Sequence, residues 1–152
     1  RIFNTYGPRQ SARAIIPTII SQALNQSELR LGNSSPTRDL NYVADTVEGF
    51  LHVASSPKSV GEVINIGTGK EISMGELVDL VVELMGKNIS IVSENARIRP
   101  EASEVDRLCA DISKAKRLLD WQPKFSLKEG LQKTITWVEA NIKQYQPDVY
   151  SV

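Results

Sequence analysis

The chain has 152 residues, long enough for one compact domain with a real core. Its 18 basic and 18 acidic residues cancel, so no global field favours nucleic acid or an anionic membrane surface, and any anion must be held by a few placed arginines. Apolar runs are short and broken by charge, as in Leu77-Val78-Asp79-Leu80-Val81-Val82-Glu83, far below the roughly 18 residues of a membrane span.

Turn signals divide the chain into alternating strands and helices, which makes the expected fold class α/β. Residues 2–5 read as a short strand stopped by Gly7-Pro8. Pro17 suits a first helical position, with Ile16, Ile19, Ile20, Ala23 and Leu24 on one helix face. Residues 29–31 and 37–42 are extended stretches on either side of Gly32-Asn33. Asp45 is placed to cap a helix whose Val47, Phe50, Leu51 and Ala54 are expected to face inward, before Pro57 ends it. Residues 62–66 form a buried-looking β run into Gly67-Thr68-Gly69. Ser73 and Glu76 have capping-box spacing ahead of Leu77, Val78 and Val81, with Gly86 as the stop. Residues 89–92 read as a strand, and Asp111 is placed to cap a helix over 112–119. Ser126 and Glu129 make a second capping box before Leu131, Ile135, Val138 and Ile142. The expected domain covers residues 1–143, and 144–152 read as a frayed tail without periodicity.

Most chemical motifs fail on inspection. Gly67-Thr68-Gly69-Lys70 lacks P-loop spacing and reads as a turn between a strand and a capped helix. No G-x-G-x-x-G or G-x-x-G-x-x-G fingerprint occurs. No Tyr-x-x-x-Lys pair places an ammonium beside a phenol. His52 reads as a surface or satisfied histidine. Cys109 reads as a small hydrophobe without a nearby histidine, and one His with one Cys builds no zinc site. A lone cysteine makes a reduced cytoplasm the default compartment. Polar residues at segment ends remain: Asn4, Arg38 and Asp39, and Arg99, Glu104 and Arg107. Arginine forks grip diphosphates and carboxylates accept ribose hydroxyls. Taken alone, Arg38 beside Asp39 reads as a surface ion pair.

The opening Arg1-Ile-Phe-Asn-Thr-Tyr-Gly-Pro-Arg9 resembles a signature of extended short-chain dehydrogenases/reductases that act on nucleotide sugars. Further matching stretches follow in order: Ile16-Pro17, Thr37-Arg38-Asp39, Tyr42-Val43, residues 63–67, Ala110-Asp111, Trp121-Gln122-Pro123 and Glu129-Gly130-Leu131. Arg9-Gln10-Ser11-Ala12-Arg13, Ser35-Pro36-Thr37 and Arg99-Pro100-Glu101 through Leu108 look like the NAD-dependent 4,6-dehydratases of the legionaminic acid route. UDP-glucuronate decarboxylases are the runner-up and UDP-sugar 4-epimerases are more distant.

The resemblance implies the substrate-binding half of a Rossmann-like enzyme, without the N-terminal dinucleotide-binding part. Asn4 and Arg38 are then expected at the substrate diphosphate, Arg99 as a second diphosphate contact and Glu104 at the nucleotide ribose. Asn65 is expected to order the loop beneath the nucleotide. Ala14 stands where related dehydratases often have a basic residue, with Arg13 one step earlier. In complete enzymes NAD carries a hydride from sugar C4 to C6 while water leaves across C5–C6. This chain is expected to hold no cofactor alone and to take a UDP- or GDP-N-acetylglucosamine type of ligand, with no nucleic acid or membrane partner. Residues 2–4 and 63–66 are expected to leave bare strand edges, and so to favour a homodimer. A free-standing nucleotide-sugar-binding or assembly module is the reading from a different class.

Overall fold

The computed structural model describes residues 1–94 and 105–145. Short strands alternate with helices: β1 (Asn4–Tyr6), α1 (Ile15–Asn25), β2 (Glu28–Leu31), β3 (Thr37–Arg38), β4 (Leu40–Tyr42) and α2 (Val43–Ser55). These are followed by β5 (Ile72–Ser73), α3 (Met74–Met85), β6 (Ser90–Ser93), β7 (Arg107–Leu108), α4 (Ser113–Leu119) and α5 (Leu127–Ala140). β1 and β4 pair in parallel, with Asn4 opposite Leu40 and Tyr6 opposite Tyr42. β2 and β6 form a second parallel pair. β3 lies between β5, antiparallel to it, and β7, parallel to it.

Three helices meet in the main core, each through residues spaced three or four apart. Ile16, Ile19 and Ile20 of α1, Leu77, Val78 and Val81 of α3, and Leu131, Ile135 and Val138 of α5 are all essentially inaccessible. Each such side chain contributes about 1.5–3 kcal/mol of burial. Both capping boxes form. Ser73 accepts from the Glu76 N–H while Glu76 returns to the Ser73 N–H, and Ser126 and Glu129 do the same. Gly86 closes α3 in the left-handed conformation. A Cβ at Gly130 would run into the Tyr6 hydroxyl, so glycine lets α5 lie directly over β1. A smaller cluster of Ile64, Ile66, Ala115, Leu119 and Trp121 sits beside α4.

Several expectations change. α1 begins two residues before Pro17, which occupies its third position. Residues 62–66 do not form a strand, and Ile66 makes only an isolated parallel bridge to Ile2. The two segments expected to carry bare edges therefore meet each other through this bridge, and β1 pairs further along with β4.

The face of α2 is reversed. Val47, Phe50 and Leu51 are 52%, 54% and 58% exposed, and Ala54 is exposed too. The buried stripe is Asp45, Thr46 and Gly49. Gly49 abuts Ile66 so closely that a Cβ would lie 2.7 Å from a methyl carbon of that side chain. Asp45 does not cap α2. Its two oxygens accept from Lys124 N at 2.9 Å and Phe125 N at 3.1 Å, tying the entry of α5 to α2. Asp111 accepts from Ser113 N at 2.9 Å, two residues ahead of α4. At the C-terminal end, Tyr145 is buried and packs edge-on against Trp137. Residues 146–152 of the expected tail lie outside the described residues.

Candidate functional site

β1 carries Asn4 to one wall of an open cavity of about 470 Å³. The loop leaving β1 adds Gln10 and Arg13, while β2 and the turn after it add Arg30 and Asn33. β3 adds Arg38. The structure thus brings together Asn4 and Arg38, two residues 34 positions apart in sequence. Sequence reasoning did not place Gln10, Arg30 or Asn33 at the site. It noted Arg13 only as a displaced basic residue, and that was the one available signal.

Backbone anchoring fixes this wall. The buried Gln22 of α1 accepts from Arg30 N at 2.8 Å, holding β2 to the helix. Gln10 Nε2 donates to Thr5 O at 3.0 Å, and the Tyr145 hydroxyl donates to Gln10 O at 3.1 Å. The Arg38 guanidinium donates to Thr37 O at 2.8 Å, which turns it back along β3. Arg30 meets Glu28 at 3.3 Å on the exposed side of β2. Among the described residues three guanidiniums line the cavity and no carboxylate does. Such a wall favours an acceptor-rich anion.

Asp39 is not the surface partner of Arg38. It is fully buried, and its carboxylate accepts from Thr68 N at 2.8 Å, Thr68 Oγ1 at 2.7 Å, Gly69 N at 2.8 Å and Ala110 N at 3.1 Å. Adjacent side chains of an extended strand point to opposite faces, so Arg38 lines the cavity while Asp39 points away into the fold. The Thr68 and Gly69 N–H groups are already taken by this carboxylate, so the glycine loop has no phosphate cradle to offer. Together with the missing glycine fingerprint, this loop does not fit a dinucleotide cofactor.

The other polar residues have structural partners. Glu71 receives the Arg107 guanidinium at 2.8–2.9 Å and the Thr37 hydroxyl at 3.0 Å. Those two contacts hold its carboxyl below the ordinary glutamate range. Asn65 donates to Asp111 O at 3.2 Å and does not line the cavity. His52 Nδ1 lies 3.0 Å from Leu119 O. Cys109 is half-buried, and burial followed by the nearby Asp39 charge pushes its thiol pKa up, away from thiolate chemistry. Arg99 and Glu104 lie outside the described residues. Among the described residues no group of three His, Cys, Asp or Glu side chains could hold a metal. No described helix is long and apolar enough to cross a membrane.

Residues 1–134 match the family described as GDP-mannose 4,6 dehydratase. UDP-glucuronic acid decarboxylase 6 of Arabidopsis thaliana is 38% identical over 86% of this chain and 37% of its own. The UDP-glucuronic acid 4-epimerase of Bacillus cereus, solved with UDP-glucuronic acid and NAD, superposes with a TM-score of 0.84 at 31% identity over 93% of this chain and 44% of that one. The dTDP-glucose 4,6-dehydratase of Bacillus anthracis, solved with NAD, gives 0.81 at 32% identity over 97% and 46%. The chain spans less than half the length of the curated relatives it matches. With the ordered motif series and the α/β fold, these likenesses establish that the chain belongs to the extended short-chain dehydrogenase/reductase family of nucleotide-sugar epimerases, dehydratases and decarboxylases.

Proposed function

We propose that this chain is the substrate-binding portion of an NAD-dependent sugar-nucleotide 4,6-dehydratase, close to those of the legionaminic acid route and silent in catalysis by itself. The observation that carries the reading is the single cavity wall joining Asn4, Arg13, Arg30 and Arg38, with no carboxylate among the described residues that line it. Arg38 grips the diphosphate and Asn4 hydrogen-bonds beside it. Arg99 supplies a second diphosphate contact and Glu104 accepts from the ribose. NAD supplies hydride transfer from elsewhere in the enzyme. The residues of this chain bind and orient a UDP- or GDP-N-acetylglucosamine type of ligand in a reduced cytoplasm.

A uronate substrate, as in a decarboxylase or a 4-epimerase, is the second reading. Arg13 favours it, because this guanidinium has no partner among the described residues and is free to meet a sugar carboxylate. The proposal also includes self-association of the chain through its exposed apolar side.

Calorimetric titration with UDP-N-acetylglucosamine, GDP-N-acetylglucosamine and UDP-glucuronate separates these readings. Preference for an N-acetylhexosamine nucleotide supports the dehydratase, and preference for the uronate supports the second reading. Binding of none of the three leaves only a structural or assembly role.

A further inference from the structure

Among the described residues the cavity wall carries three guanidiniums and no carboxylate, so its side-chain acceptors are amide and hydroxyl oxygens, and among these Gln10 stands out. Arg13, Arg30 and Arg38 suit phosphate oxygens, but a sugar also presents hydroxyl or amide donors that need acceptors of their own. Gln10 lies in the same wall. Its Oε1 is buried and has no hydrogen-bond partner. The amide cannot simply be turned over. Nε2 donates to Thr5 O at 3.0 Å, and reversal would set two oxygens against each other. The residue is also tethered through its own carbonyl, which accepts from the Tyr145 hydroxyl at 3.1 Å. The fold thus holds Gln10 from both sides and leaves one acceptor unmatched, a costly arrangement unless a donor arrives.

We infer that Gln10 is a specificity-determining residue whose side-chain carbonyl accepts a hydrogen bond from the hexosyl part of the ligand, a hydroxyl or an acetamido N–H. Arg38 and Asn4 hold the diphosphate, and Gln10 distinguishes a nucleotide sugar from a bare nucleoside diphosphate. Gln10 lines the cavity, so its unmatched Oε1 belongs to the wall that the ligand would meet. This inference rests on the nucleotide-sugar reading of the cavity and adds the residue that reads the sugar.

The test is calorimetry of the wild-type chain, Gln10→Met and Arg38→Ala with UDP and with UDP-N-acetylglucosamine. Gln10→Met keeps the volume and removes the acceptor together with the Nε2 donor to Thr5 O, so the UDP arm reads what loss of that anchor does by itself. It is expected to weaken the sugar nucleotide by roughly five- to tenfold while leaving UDP unchanged. Arg38→Ala is expected to weaken both ligands alike. If Gln10→Met affects both equally or neither, the inference is overturned and the nucleotide-sugar reading stands. If the wild-type chain binds neither ligand, both fall. Should Gln10→Met fail to fold, monodeoxy analogues of the sugar nucleotide on the wild-type chain decide the same point. Removal of one donor is expected to lower affinity by a similar factor, and equal binding of every analogue contradicts the inference.

Discussion

The Asp39 carboxylate takes four hydrogen bonds from Thr68, Gly69 and Ala110 while fully buried, and Arg38 beside it lines the cavity. One dipeptide therefore both frames the fold and lines the candidate cavity. Asp39→Ala leaves buried N–H groups unmatched, each costing about 1–3 kcal/mol. The variant is expected to lose on the order of 3 kcal/mol in urea unfolding, whereas Arg38→Ala keeps stability close to wild type. Equal stability of Asp39→Ala and wild type would show that this carboxylate frames nothing. The pairing of Arg38 with Asn4 was legible because the family motifs name both. The role of Asp39 was not, since adjacency of opposite charges suggests an ion pair and only strand alternation separates their faces.

Helix chemistry was the most legible level. Both capping boxes and the inward faces of α1, α3 and α5 follow from spacing alone. The Glu76 and Glu129 carboxyls are held below the ordinary glutamate value of 4.5, chiefly by the hydroxyls of Ser73 and Ser126. A lowered folded pKa stabilises above the unfolded value and loses that contribution as pH falls through the folded one. Thermal melting should therefore show the carboxylate part of cap stability intact above pH 4.5 and lost as pH falls through the lowered folded values, while the serine–N–H half persists. Ser73→Ala and Ser126→Ala should each cost about 1 kcal/mol near neutral pH and less in acid; a loss independent of pH contradicts the carboxylate contribution. α2 was misread because its apolar periodicity is real but its packing face is set by small and polar groups. Gly49 fits against Ile66, and Asp45 reaches the Lys124–Phe125 backbone. Residues 62–66 looked like a strand because Ile64 and Ile66 are buried, yet only Ile66 makes a bridge.

Over the whole molecule, zero net charge combines with an exposed stripe of Val47, Phe50, Leu51 and Ala54 on α2. Ile2, Val60 and Val63 are exposed apolar residues as well. Apolar surface of this kind is where the proposed self-association would take place. Phe50→Ser with Leu51→Ser is expected to shift sedimentation toward monomer and to leave melting within about 1 kcal/mol of wild type. Buried side chains of this size would cost about 3–5 kcal/mol each. An unchanged sedimentation profile, or a loss of that size, contradicts the surface role. The proposed function rests on the cavity rather than on this surface, and within that proposal Arg38 is the residue assigned to the diphosphate. Calorimetric titration of UDP-N-acetylglucosamine into the wild-type chain and into Arg38→Ala puts that to the test. Saturable binding to the wild type is expected, weakened about tenfold or more in the variant as a charged hydrogen-bond partner is removed; equal affinity in the two proteins would contradict a diphosphate site at Arg38.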